Sequence, residues 1–370
     1  MTDQKSKKRS KKLLIAAGGT GGHLFPGIAI ADEIAAIDAT LSIAFAGTAR
    51  GLEATICPKR GMRLILMKSS SIKDRRGLSR LMAWIRLPLS LVSAIGILLR
   101  ERPAAIVCIG GYAAGPLAIA AFLLCIPFVI VEPNAVAGFT NRMIGRFCKR
   151  AFIQFEEAEK YFPKGKSILS GNPVRKEVAA LAAESEPHGE KLTIFAFGGS
   201  QGARRINQAM VDAIRMMNGA ATKISVIHQT GISDDPAAIE ANYRAAGVEA
   251  NVFPFTDRIW ECYAKADLVV ARSGATTCAE LMMLAKPSIL VPYPFAADDH
   301  QSANAKGVER KGGAMVISDA ELNGEKLARA LSDFIASPTK LDQMRQSLLA
   351  GVKKNAAKLV AQELIVIMRY

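Results

Sequence analysis

The run Gly18-Gly19-Thr20-Gly21-Gly22-His23 follows an apolar stretch at residues 13–15 and opens a helical pattern. It reads as a strand, a glycine turn and a helix start. Glycines let the backbone come within contact distance of a ligand, and the first N–H groups of the helix face it with the positive end of the dipole. The chemistry this suits is the binding of an anion. Two further turns repeat the arrangement: Gly198-Gly199-Ser200-Gln201-Gly202-Ala203 after residues 192–197, and Arg272-Ser273-Gly274-Ala275-Thr276-Thr277 after residues 268–270. One glycine turn often does no more than pack a helix closely on a strand. Three in one chain point to a phosphorylated ligand.

The usual nucleotide signatures are missing. The first turn lacks the Gly-Lys-Ser/Thr ending of a P-loop, and a G-x-G-x-x-G count from Gly19 puts Leu24 at the third glycine. The strand that would carry a ribose-binding acid for a nicotinamide dinucleotide ends in Gly47-Thr48 without a carboxylate. Dinucleotide redox chemistry is disfavoured. No Asp-x-Asp is present to hold a divalent ion on a diphosphate, and His23, His188, His228 and His300 do not pair at metal-ligand spacing. Neither a metal nor a cofactor is expected.

The elements that must position these turns follow from the apolar pattern. Strands are expected at residues 13–17, 41–46, 63–67, 104–109, 128–131 and 151–154, alternating with helices, as in a parallel sheet covered on both faces. A second alternation puts strands at 192–197, 224–228, 251–253, 268–270, 288–291 and 314–317, before a helical end over 320–370. The fold class is α/β, with two Rossmann-like domains whose loops face each other across a cleft. The expected divisions are a disordered basic tail over 1–12, a first domain over 13–172 and a linker over 173–190. A second domain over 191–355 and a C-terminal helix over 356–370, returning to the first domain, complete the chain. A length of 370 residues with 50% hydrophobic content accommodates two such cores.

The formal charge of +15 asks for an acidic partner. With 6% aromatic residues and no basic and aromatic interleaving, the chain offers no stacking platform for nucleic acid. An anionic membrane surface fits better. Residues 78–100 are apolar and basic, with Leu81, Trp84, Ile85, Arg86 and Leu89 among the residues expected to face the membrane. The uncharged stretch there is shorter than the ~20 residues of a spanning helix and is interrupted by Pro88, so the segment is expected to lie in the headgroup interface or to pack as an ordinary helix. Residues 113–131 carry no charge, yet Gly115-Pro116 and Ile126-Pro127 split them into a buried helix and a central strand. Six dispersed cysteines without a C-x-x-C pair read as buried thiols of a reducing compartment, the cytoplasm.

Six motifs then occur in order: Gly18-Gly19-Thr20-Gly21-Gly22-His23, Gly110-Gly111-Tyr112, Glu132-Pro133-Asn134-Ala135, Gly171-Asn172-Pro173-Val174-Arg175, Gly198-Gly199-Ser200-Gln201-Gly202-Ala203 and Arg272-Ser273-Gly274-Ala275. In these, and from Lys12 to about Lys358, the chain resembles the family 28 glycosyltransferases of GT-B fold. The resemblance implies an inverting, metal-independent enzyme moving N-acetylglucosamine from UDP-N-acetylglucosamine to the 4-hydroxyl of undecaprenyl-pyrophosphoryl-N-acetylmuramoyl-pentapeptide (lipid I). The product would be lipid II for peptidoglycan, made at the cytoplasmic face of the inner membrane by a peripheral protein.

The same resemblance assigns residues. Ser200 and the N–H groups of Ala275, Thr276 and Thr277 neutralise the UDP diphosphate at helix starts, and Glu280 accepts from the ribose hydroxyls. Uracil meets the backbone at Thr256, while Gln301, Asn304 and Asn134 select the sugar and Arg175 binds near the hinge. His23 is either the general base or an imidazolium on the acceptor pyrophosphate. Glu132 is a second acid–base or orienting candidate, and Thr20, Gly21 and Gly22 line the site. Pro133 departs from the family's glutamine, and the basic tail before Lys11 is unusual. A UDP-N-acetylglucosamine 2-epimerase and a non-catalytic nucleotide-sugar-binding membrane adaptor are the alternatives; the apolar and basic stretch at 78–100 speaks against the first.

Overall fold

The structure is a computed structural model describing residues 11–67, 78–111, 113–182, 191–199, 201–351, 353 and 355–369. The chain forms two compact units. One contains the described residues up to Pro133, Ala137–Arg175 and the end of the chain from Asn355; the other contains Asn134–Val136 and the described residues of Lys176–Lys354.

The first unit is built on seven strands: β1 (Lys12–Ala17), β2 (Ser42–Gly47), β3 (Arg63–Leu66), β4 (Ala105–Gly110), β5 (Phe128–Glu132), β6 (Arg150–Ile153) and β7 (Ser167–Leu169). They pair in parallel in the order β3-β2-β1-β4-β5-β6-β7. Successive residues of a strand face opposite sides of the sheet. Both sides are covered here, which explains the unbroken apolar runs. Leu14, Ala16, Ile106 and Ile130 pack beneath Leu98, Leu117 and Ala121 on one face. Leu13, Ile15, Val107 and Val129 pack with Ile28, Ile34, Val360 and Leu364 on the other. The last helix, Ala356–Arg369, thus covers this sheet beside the helix Gly21–Ile37.

The second unit carries β8 (Leu192–Phe197), β9 (Ile224–Gln229), β10 (Glu249–Phe253), β11 (Leu268–Ala271), β12 (Ser288–Leu290) and β13 (Ala314–Val316). They are parallel, in the order β10-β9-β8-β11-β12-β13. Its core joins Ile194, Val270 and Ile289 to Ile206, Met210, Leu327 and Leu331.

Several expectations are corrected. Lys12 is the first residue of β1, and its ammonium pairs with Glu101 at 3.3 Å, so the tail ends before it. Pro88 does not interrupt its segment: one helix runs from Leu78 to Glu101. A proline inside a helix removes one backbone hydrogen bond, a loss outweighed here by the burial of Ala94, Ile97 and Leu98 on the sheet. The expected linker holds a short helix, Lys176–Leu181, while 183–190 lie outside the described residues. The edge strand β7 had no sequence signal, because its three residues are only half-buried. Cys125 is exposed, whereas the other five cysteines are buried.

Candidate active site

In an open parallel sheet, ligands bind beyond the carboxyl ends of the strands where the strand order reverses. That point lies between β1 and β4 in the first unit and between β8 and β11 in the second. The loops leaving these four strands are Gly18–Gly22, Gly110-Gly111, Gly198–Gly202 and Arg272–Thr277. Topology therefore selects four of the six motifs that the sequence singled out.

In the first unit, Thr20 occupies the N-cap of the helix Gly21–Ile37 with extended backbone, and its carbonyl accepts from the N–H groups of His23 and Leu24. Its side chain makes no capping bond. His23 is half-buried and lies against the end of β4: a Cβ on Gly110 would stand 2.6 Å from its Nε2. A Cβ on Gly111 would stand 2.1 Å from the carbonyl oxygen of Gly18. Both glycines also have positive φ, 149° and 80°. The two turns can meet only because neither carries a side chain there.

Glu132, at the end of β5, is 1% exposed, and its Oε2 accepts from Gly138 N–H and Asn141 Nδ2, each at 2.9 Å. These bonds suit an orienting role. Arg175 is also buried, its guanidinium stacked 4.5 Å from the ring centroid of Phe25. Tyr112 and Ser200 lie outside the described residues, as do the side chains of Leu81, Trp84, Ile85 and Arg86. Leu89 is exposed.

In the second unit, Gly274 caps the helix Ala275–Met283, whose first turn is Ala275-Thr276-Thr277. Glu280 is buried one turn on, where its Oε2 accepts from the hydroxyl of Tyr263 at 3.1 Å. Tyr263 is fully buried against Phe195 and Phe197. It fixes the direction of the carboxylate.

The Thr256 N–H donates to Gln229 Oε1 at 3.2 Å, while Gln229 Nε2 donates to Gly199 O at 3.2 Å. One buried amide at the end of β9 thereby ties the loop expected to meet uracil to the glycine turn expected to meet phosphate. Beneath them, His228 Nδ1 meets the Tyr243 hydroxyl at 2.8 Å and its Nε2 meets Asn207 Oδ1 at 3.1 Å. Burial holds this imidazole's pKa down at about 4. It is neutral and structural.

Asn304 corrects an expectation. It is fully buried; its Oδ1 accepts from Ala135 N–H at 2.8 Å, and its Nδ2 lies 3.2 Å from both Asn134 Oδ1 and Ser273 O. With its hydrogen-bonding groups turned to the protein, it aims Asn134 instead of meeting a sugar. Asn134 itself belongs to the second unit, not to the first domain. Gln301 Oε1 accepts from Tyr293 N–H at 3.0 Å, and its NH₂ end has the chemistry to donate to a sugar hydroxyl. Sequence reasoning missed Glu53, Gln229 and Tyr263, each of which has a partner 17 or more positions away: Gly19 for Glu53, Gly199 and Thr256 for Gln229, and Glu280 for Tyr263.

Two parallel sheets, each with a glycine turn at a helix start beside its switch point, define a fold of GT-B type. The chain matches the profile of the Glycosyltransferase family 28 N-terminal domain over residues 13–153 and that of the Glycosyltransferase family 28 C-terminal domain over residues 193–364. It belongs to glycosyltransferase family 28. A relative from Myxococcus xanthus is 42% identical over 357 residues, covering 96% of this chain and 93% of its own. That relative is named UDP-N-acetylglucosamine--N-acetylmuramyl-(pentapeptide) pyrophosphoryl-undecaprenol N-acetylglucosamine transferase. The crystal structure of Acinetobacter baumannii MurG superposes with a TM-score of 0.77 at 26% identity, over 96% of this chain and 99% of that one. A UDP-GlcNAc 2-epimerase from Neisseria meningitidis, bound to UDP-GlcNAc, reaches 0.65 at 12% identity over 96% and 99%, a likeness of fold alone.

Proposed function

We propose that the chain transfers N-acetylglucosamine from UDP-N-acetylglucosamine to the 4-hydroxyl of lipid I, forming lipid II. The observation that carries this reading is the 42% identity, over nearly the whole chain, to a relative named for that reaction. The acceptor oxygen attacks the anomeric carbon as the bond to UDP breaks, with inversion. The electron pair of that bond leaves on the β-phosphate, and the hydroxyl proton passes to His23. A positioned base of this kind typically contributes about 10²–10⁴-fold. Glu132 orients the loop that follows β5.

The donor is held by the second unit. Ser200 and the first turn of the helix Ala275–Met283 neutralise the diphosphate, each helix start contributing about 0.3–1 kcal/mol. Glu280, aimed by Tyr263, takes the ribose hydroxyls; the backbone at Thr256 reads uracil; Gln301 and Asn134 select the sugar. Arg175, held against Phe25, and the Thr20, Gly21 and Gly22 backbone complete the acceptor side.

The protein works at the cytoplasmic face of the inner membrane as a peripheral enzyme. Supporting this, the exposed apolar side chains Leu89, Val92, Phe122, Leu123, Phe139, Met143 and Phe147 belong to the first unit, together with Arg142, Arg146, Lys149 and Arg150. Among the described residues no helix is long and apolar enough to cross a membrane. The deciding experiment measures UDP release from UDP-N-acetylglucosamine with and without a short-chain lipid I analogue, in the presence of a chelator. Acceptor-dependent release that survives chelation is expected. Acceptor-independent conversion of the sugar would assign an epimerase, and binding without turnover an adaptor.

A further inference from the structure

Glu53 is fully buried at the start of the helix Glu53–Lys59, yet its carboxylate reaches away from that helix. Its Oε2 accepts from Gly19 N–H at 2.8 Å, and its Oε1 accepts from Thr48 N–H at 2.7 Å and from the Thr48 hydroxyl at 3.2 Å. It therefore joins the loop after β1 to the loop after β2. Three glycines make room for it: a Cβ on Gly18, Gly47 or Gly51 would stand 2.6, 2.4 or 2.0 Å from its side-chain atoms. The neighbouring Leu52 N–H also donates to Gly19 O at 3.4 Å. Gly19, at a φ of 94°, is thus held at both its N–H and its C=O by the neighbouring residues Glu53 and Leu52.

The turn so held is the one that carries His23. Gly19 precedes Thr20, whose carbonyl accepts from His23 N–H at 3.2 Å, and the Gly18 carbonyl closes against Gly111 beside the Gly110 that backs the imidazole. A shift of the Gly18-Gly19 turn must move the ring. The buried negative charge also bears on what the turn can bind. One N–H of the supposed anion cradle is already taken by a carboxylate, and a phosphate seated there would meet like charge at close range.

We propose that Glu53 is a positioning residue for the transfer reaction: its carboxylate locks the first glycine turn so that His23 is presented to the acceptor hydroxyl. The inference rests on the glycosyl-transfer reading of the site.

The chemistry requires both oxygens. A glutamine of the same shape has one acceptor, and its NH₂ would confront either Gly19 N–H or Thr48 N–H, so one anchor is lost while the volume is kept. Misplacing a catalytic group by about 1 Å can cost about 10²-fold. The full chain carrying Glu53→Gln is therefore expected to lose about 10–100-fold in kcat with lipid I analogue, with KM for UDP-N-acetylglucosamine and calorimetric UDP affinity within about twofold of the parent. In a His23→Ala background the same change is expected to have less than about a twofold effect, because the two residues act as one unit.

The same factor in both backgrounds, or loss of UDP affinity with kcat intact, would overturn the proposal. Gly51→Ala, whose new methyl displaces the carboxylate, should reproduce the pattern if the glutamine variant fails to fold. A readout free of turnover keeps the inference separate from the reaction assigned. In spectra of ¹⁵N-histidine-labelled protein, Glu53→Gln should shift the His23 ring signals and leave those of His228 in place; unmoved His23 signals reject the positioning role whatever the reaction proves to be.

Discussion

The glycine turn after β1 rests on a buried carboxylate, whereas the turn after β8 rests on glycine, amide and a neutral histidine. In the first, Glu53 accepts from Gly19 and Thr48. In the second, a Cβ on Gly202 would stand 2.2 Å from Thr230 O and one on Gly231 would stand 2.2 Å from Gly202 Cα, so two backbones touch directly. Gln229 Nε2 donates to Gly199 O, and Asn207 Nδ2 donates to Thr230 O at 2.9 Å. No carboxylate is bonded to the Gly199 or Gly202 backbone among the described residues. Similar sequences thus build turns on different supports: a carboxylate bonds directly to the backbone of the first, whereas in the second the carboxylate of Asp234 is held one step away, by Asn207 Nδ2 at 2.7 Å and Arg204 at 3.4 Å. In the proposed reaction the first turn presents His23 to the acceptor hydroxyl and the second faces the donor diphosphate.

Three changes test that contrast. The largest effect is expected of His23→Ala, which should lower kcat by about 10²–10⁴-fold while KM for the donor stays within about twofold. Steady-state kinetics over donor concentration decide it, and a KM effect with kcat intact would move His23 to binding.

The converse is expected of Gln229→Leu. Two hydrogen bonds of about 0.5–1.5 kcal/mol each link the Gly199 and Thr256 loops, so KM for UDP-N-acetylglucosamine should rise by about 5-fold to about 150-fold with little change in kcat. Calorimetric titration with UDP should report the same loss. Unaltered UDP affinity would mean that the amide does not shape the donor site.

The smallest effect at neutral pH concerns His228. Its pKa falls from 6.5 to about 4 in the fold because burial disfavours the imidazolium. The unfolded chain binds the proton first, so the stabilising contribution is complete above pH 6.5 and is lost as pH falls toward 4, by an amount on the order of 3 kcal/mol. Denaturant melts across that window should show the slope in the parent and lack it in His228→Gln. A parallel slope in both would place the titrating group elsewhere.

How far the sequence could be read depended on the range of the interaction. The runs of β1, β4, β8 and β11 were legible because strands buried on both faces must be apolar throughout. The turns at Gly18–His23, Gly198–Ala203 and Arg272–Thr277 were legible because glycine spacing and a helix start are local features. Pro88 misled, since a local penalty was outweighed by packing on the sheet. Asn304 misled too, since an amide suited to a sugar suits a backbone equally well.

By itself the sequence determined the strand runs, the turns at their carboxyl ends and, through the order of the motifs, the family. These depend on residues a few positions apart. Only the tertiary structure decided what each turn can hold. Glu53 lies 34 positions from Gly19, and Asn304 lies 169 from Ala135. A buried charge or an amide acts on whatever folding brings within hydrogen-bond distance, and no spacing along the chain encodes that.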